Sequence, residues 1–328
     1  MIYDVHAHCI PKEFREWLER RGAATGAVPV DTGQGRAVCF AEKVTTGPLR
    51  PDLTDFNARI DAIDRMGIDV QVLSGWIDLS SHQLSGSAAS EYARAHNDTL
   101  AAEAARAPDR FRALGTVPLQ DAHRAALELE RVVTELGMPG VQIASTVHGA
   151  HLGQDSGLEE FWDAAEELQA FILLHPTRPL AGIDLHRFFL ENMVARPAES
   201  TIALAGLIFS GVFERHPDVK ICVVHGGGFA PFQIGRMDQG FRQKPELTAR
   251  HISKPPSEYL SRIYVDTIVH SAAALNYLVS VFGADHLLMG TDYPFEMGDH
   301  DPVTFVRSAV AEEPAGAILG GTAGRLLG

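Results

Sequence analysis

The chain has 328 residues, 45% of them hydrophobic and 21% charged, which supplies ample apolar material for a large buried core. Its formal net charge of -14 argues against a nucleic-acid or anionic-membrane partner, and leaves a small anionic substrate open only where arginines cluster locally. The three cysteines, Cys9, Cys39 and Cys222, lack Cys-x-x-Cys spacing and point to a reducing cytoplasm rather than a disulfide framework.

In chain order, a strand over 2–5 comes first and runs into Asp4-Val5-His6-Ala7-His8. The start shows no charged-then-apolar leader, and no apolar run approaches the length of a membrane span. About forty residues then precede the first clear helix, far beyond an ordinary βα loop. Within them, 28–31 and 38–44 flank Gly33-Gln34-Gly35 and predict a β-hairpin. Residues 10–53 are therefore expected to form a small inserted subdomain over the active-site mouth. Further strands are predicted at 68–74, 113–117, 140–143, 171–175, 220–225, 263–267 and 287–291. Helical periodicity occupies 56–66, 88–106, 122–136, 158–168, 198–215, 231–242 and 272–282. Eight strands, each followed by a helix, predict an α/β fold of the (β/α)8 TIM-barrel class, one domain over 1–328. An open doubly wound sheet is the competing architecture, but the first βα turn has no Gly-x-Gly-x-x-Gly.

His6 and His8 lie two apart on a strand, so they face the same way, with Cα atoms roughly 7 Å apart. That spacing allows both imidazoles to reach one metal ion. Three other strand ends carry His175, His225 and Asp292, and a barrel brings all of them to one mouth. Burying so many ionisable groups is costly without pairing or a metal, which favours a metal site over strand-end histidines with no ion.

The stretches Asp4-Val5-His6-Ala7-His8-Cys9-Ile10-Pro11, His175-Pro176, His225-Gly226-Gly227-Gly228 and Thr291-Asp292-Tyr293-Pro294-Phe295 run along the chain in the order seen in one family. The chain resembles the amidohydrolase superfamily, in its amidohydrolase-2 branch typified by α-amino-β-carboxymuconate-ε-semialdehyde decarboxylase. The resemblance implies His6, His8, His175 and Asp292 as metal ligands, with His225 as general acid/base. A fifth-ligand or structural role for His225 is the alternative. The donor set suits Zn2+, with Mn2+ or Co2+ also fitting. The fourth strand carries Gln142 and no lysine or carboxylate, which implies one metal rather than two. Arg50 and Arg236 resemble family arginines that hold substrate carboxylates. Arg236 reaches a neighbouring subunit's site in the family, so a homodimer is implied. A solvated loop charge is the competing reading of Arg50, and a helix-surface ion pair with Asp238 or its surroundings that of Arg236. Phe295 and Trp76 could stack on a planar substrate, and Arg178 could also face the site.

The leading expectation is a nonoxidative decarboxylase of an unsaturated or aromatic acid, with Asp292 or His225 handling the proton. Hydrolysis of a lactone or amide, or hydration of a double bond, is the alternative, and a binding protein without turnover is the third. The acid itself is not specified by the sequence.

Overall fold

The computed structural model of the chain describes residues 1–41, 44–147, 150–153, 157–177, 185 and 187–328. Eight parallel strands form the centre. They are β1 (Tyr3–Cys9), β5 (Val70–Gly75), β6 (Phe111–Ala113), β7 (Gly140–Ala144), β10 (Phe171–His175), β11 (Lys220–Val223), β12 (Ile263–Asp266) and β13 (Leu287–Leu288). Hydrogen bonding orders them β1-β5-β6 and β13-β12-β11-β10-β7. Two parallel bridges, Gly115 to Val141 and Ala7 to Tyr293, join the two sets. Val5 N–H also donates to Met289 O at 2.9 Å, so the strands close into a barrel.

The strands are buried on both faces, because helices pack outside and side chains fill the centre. Val5, Val70, Leu114, Leu173, Val224 and Leu288 belong to the inner packing, and Val141, Ile172 and Ile221 to the larger outer one. Sequence periodicity placed most elements within two or three residues. The last strand is shorter than predicted, since Met289 N–H leaves the ladder and donates to Ile318 O of the C-terminal helical segment. The predicted 198–215 helix divides into Arg196–Phe209 and Val212–Arg215. Helix Phe56–Arg65 starts where Asp55 accepts Ala58 N–H at 2.9 Å, and Ala122–Thr134 where Asp121 accepts Arg124 N–H at 3.1 Å.

After β1 the chain forms helix Lys12–Trp17 and then three antiparallel strands: β2 (Ala27–Thr32), β3 (Gly35–Phe40) and β4 (Val44–Thr45). β2 and β3 pair from Ala27 with Phe40 to Thr32 with Gly35, leaving Gly33-Gln34 as a two-residue turn. The second hairpin strand therefore begins at Gly35, not at 38. Ile10, Phe14, Val38, Phe40 and Leu53 of this segment share an apolar cluster with Trp76 and Tyr92, against which Phe295 packs. A short antiparallel pair, β8 (Thr146–Val147) and β9 (Ala150–His151), lies between β7 and β10. Among the described residues, no helix is long and apolar enough to cross a membrane.

Candidate metal centre and active site

β1 carries both of its histidines at the C-terminal end of the barrel. Past a register irregularity between Asp4 and Ala7, His6 and His8 alternate with Ala7 and Cys9, so the two imidazoles share the inward phase, with Nε2 atoms 3.3 Å apart. His175 ends β10, and its ring centroid lies 5.1 Å from that of His6 and 5.0 Å from that of His8. His225 and Asp292 follow β11 and β13, both with positive φ (56° and 57°). Such backbone is costly for a residue with a Cβ and persists only where its surroundings fix it. At His225 the turn is held by Gly226 N–H donating to Asp266 Oδ1 at 2.8 Å. Gly228 completes it, because a Cβ there would lie 2.1 Å from Pro197 O.

Asp292 sits at the centre of the cluster. Its Oδ1 is 3.1 Å from His8 Nε2 and 3.5 Å from His6 Nε2, and its Oδ2 is 3.7 Å from His225 Nε2. Ligand atoms of His6, His175, His225 and Asp292 all lie within 4.8 Å of one another. The structure thus brings all five residues singled out from the sequence to one place.

The outward nitrogens decide what the inward ones can do. His6 Nδ1 meets Asp266 Oδ2 at 2.8 Å, His8 Nδ1 meets Gly75 O at 3.1 Å, and His175 Nδ1 meets Pro176 O at 2.7 Å. Each acceptor holds the proton on Nδ1 and leaves the Nε2 lone pair facing the cluster. Two converging lone pairs at 3.3 Å repel unless a cation lies between them. The buried His175 Nε2 has no hydrogen-bond partner among the described residues. These features fit a divalent metal held by imidazole and carboxylate donors. His225 differs: its Nδ1 is buried without a partner among the described residues, so no acceptor fixes its tautomer.

Electrostatics agree with this picture at His8, His175 and Asp292. At His6 burial alone would lower the imidazole, but the Asp266, Asp292 and Asp4 carboxylates overcome it and raise it, so a metal must displace a proton there. Burial, reinforced for His175 by the neighbouring His8 and His6, holds His8 and His175 below the ordinary histidine range. Burial alone would raise the Asp292 carboxyl, but His225, His6 and His8 overcome it and keep it well below the usual range. Neutral imidazoles and an ionised carboxylate are the protonation states a metal needs.

A cavity of about 150 Å³ opens onto the cluster. Its lining includes His8, His175, His225 and Asp292, with Trp76 and Phe295 as aromatic walls. Phe295 lies 5.4 Å from the His8 ring. Gln142 of β7 is tied to Ser74 Oγ and Gly75 O, both at 2.8 Å, and places no carboxylate at the centre. Arg50 sits over Phe295 at 5.5 Å, but its guanidinium already holds Asp52, at 2.6 and 3.1 Å, and Glu296 at 2.8 Å. Arg236 is exposed on helix Ala230–Gln243 and does not line this cavity. The ion pair weighed for it with Asp238 is absent among the described residues, since Asp238 accepts Ser257 N–H instead. Arg178 lies outside the described residues.

Two residues were missed from sequence. Asp266, at the end of β12, orients His6; a lone carboxylate ending a barrel strand was its available signal. Arg196 lines the cavity from a helix remote in sequence, and nothing in its surroundings marked it.

Comparison with known proteins agrees with the motifs. The family model described as amidohydrolase, of the amidohydrolase-2 type, matches residues 3–328. The 2-amino-3-carboxymuconate-6-semialdehyde decarboxylase of Dictyostelium discoideum is 34% identical over 99% of this chain and 91% of its own. The crystal structure of 5-carboxyvanillate decarboxylase from Sphingomonas paucimobilis superposes with a TM-score of 0.84 at 26% identity, covering 99% of this chain and 98% of the other. A dihydroxybenzoic acid decarboxylase from Polaromonas, solved with bound manganese and 2-nitroresorcinol, gives a TM-score of 0.80 at 25% identity, over 99% and 96% of the two chains. With its full length matched and its histidine and aspartate strand ends in place, the chain belongs to the amidohydrolase-2 family.

Proposed function

We propose that this protein is a metal-dependent nonoxidative decarboxylase of an unsaturated or aromatic carboxylic acid. The observation that carries the reading is the convergence of three pinned imidazoles, one ionised carboxylate and one unpinned histidine on a cavity with aromatic walls. His6, His8, His175 and Asp292 would hold one divalent ion, zinc by donor type, with manganese or cobalt also suiting the set. Bound there, the metal supplies Lewis-acid polarisation of an oxygen at the reacting centre.

The protein's own residues do the rest. Trp76 and Phe295 wall a space suited to a planar conjugated acid, so that the electron pair left by departing CO2 can delocalise. The proton that replaces CO2 on carbon comes from the His225–Asp292 pair, with His225 Nε2 facing Asp292 Oδ2. Arg50, displaced from Glu296, would receive a substrate carboxylate at the rim. Residues 10–53 act as a cover over the mouth, supported by the Arg50 contacts to Glu296 and Pro294 O and by the cluster that reaches Phe295. The reading includes a homodimer in a reducing cytoplasm. Its support is the exposed helix bearing Arg236 beside Phe232, which is 78% exposed, and three free thiols. The relatives named above are decarboxylases, which favours carbon–carbon cleavage over hydrolysis.

The test is a panel of aromatic and muconate-type acids scored for CO2 with metal-loaded and chelator-treated protein. Metal-dependent CO2 release from some of these acids is expected. Ring opening or hydration without CO2 would replace the reading with hydrolase or hydratase chemistry.

A further inference from the structure

Arg196 is the one arginine among the described residues that lines the cavity. Its side chain is 19% exposed. Nη1 donates to Pro176 O at 3.2 Å, the same carbonyl that meets His175 Nδ1 at 2.7 Å. The guanidinium is thereby fixed next to a candidate ligand. Nη2 forms an ion pair with Asp78 Oδ1 at 3.7 Å, too long for a hydrogen bond, so Asp78 offsets part of the charge without occupying an N–H donor. A guanidinium has five N–H donors, so most of this fork is left for another acceptor. Arg50 is the contrast, since its fork is taken by Asp52 and Glu296 in this structure and reaches a substrate only once the Glu296 contact opens. Asn192, one helical turn before Arg196, lines the same cavity and adds an amide beside the guanidinium.

Resting on the decarboxylase reading, we infer that Arg196 sets substrate specificity by binding a second carboxylate, the one the substrate keeps. A cavity of about 150 Å³ holds one benzene-sized ring, so the fitting class is a dicarboxylic acid on a single ring or an equally short conjugated frame. The choice of carboxylate follows from the reaction. An ion pair to the departing group is lost as that group becomes neutral CO2, which stabilises the ground state and slows the step. An ion pair to the retained carboxylate persists through the transition state. Bidentate capture by a planar fork also fixes the ring's rotation about the metal centre.

The experiment compares isophthalate with its monomethyl ester, which differ by one negative charge, as ligands of the metal-loaded protein in titration calorimetry. The unsubstituted protein is expected to prefer isophthalate by about tenfold or more. Arg196→Gln should weaken isophthalate by about 10- to 100-fold and leave the ester within about twofold. Arg196→Lys keeps the charge but loses the fork, so an intermediate preference is expected, and it carries the test if the glutamine variant does not fold. Equal binding of the two ligands by the unsubstituted protein, or a preference that survives both substitutions, overturns the inference. CO2 release is scored on the same preparations. Charge preference without CO2 from any acid fails the decarboxylase reading alone, and CO2 release without charge preference fails the Arg196 role alone.

Discussion

Replacing Asp266 with asparagine should weaken metal binding while leaving the barrel folded. Asp266 Oδ1 accepts two backbone donors, Gly226 N–H at 2.8 Å and Ile268 N–H at 3.2 Å. An amide nitrogen cannot take that place without opposing two N–H groups, so the substituted side chain must keep its oxygen there. Its NH2 then points at His6 Nδ1, where the carboxylate sits at 2.8 Å and both side chains are buried. His6 must accept at Nδ1 and carry its proton on Nε2. That proton faces His8 Nε2 and Asp292, where a metal ligand needs a lone pair. Loss of such an outer partner costs about 10- to 100-fold in metal affinity, or about 1.4–2.8 kcal/mol. The assay is competition with a graded chelator, read by metal content, alongside a thermal melt of the metal-free protein. The expected result is a weakened metal with an almost unchanged metal-free melt. Equal retention of metal by Asp266→Asn and the unsubstituted protein would show that Asp266 does not set the His6 tautomer.

Three further outcomes are expected. His225→Ala should keep about one metal per chain by elemental analysis and lose about 10²- to 10⁴-fold in turnover, because a general acid/base is removed and the three pinned imidazoles stay; surviving turnover would remove His225 from proton transfer. Gly140→Ala should destabilise the barrel by about 3 kcal/mol, since its Cβ would lie 1.9 Å from Phe171 O on the paired strand β10, and a melting shift under roughly 2 °C would contradict this packing. Burial lowers His96 from 6.5 to about 4, so the unfolded chain takes up a proton first; stability is full above pH 6.5 and falls by about 3 kcal/mol on the way to pH 4. The acid limb of melting temperature against pH should therefore be shallower for His96→Gln, and parallel limbs would contradict it.

The sequence by itself determined the barrel and the five residues at its centre. Parallel strands need buried apolar runs, and helices leave their own period, so local pattern alone marks both. A barrel gathers its strand ends at one mouth, so His6, His8, His175, His225 and Asp292 could be assembled on paper before any coordinate. The edges of elements were less legible, because they depend on partners far along the chain. The last strand stops where Met289 bonds to Ile318 O, and no local pattern announces that contact. The tertiary structure alone decided which side chains surround the central five. Asp266 is selected by a 2.8 Å contact to a residue 260 positions away. The three arginines separate only in space: Arg50 already holds two carboxylates, Arg236 is exposed on a helix away from the cavity, and Arg196 faces the cavity with donors to spare. A guanidinium looks the same in any sequence, and what it can bind depends on which acceptors the fold has already given it.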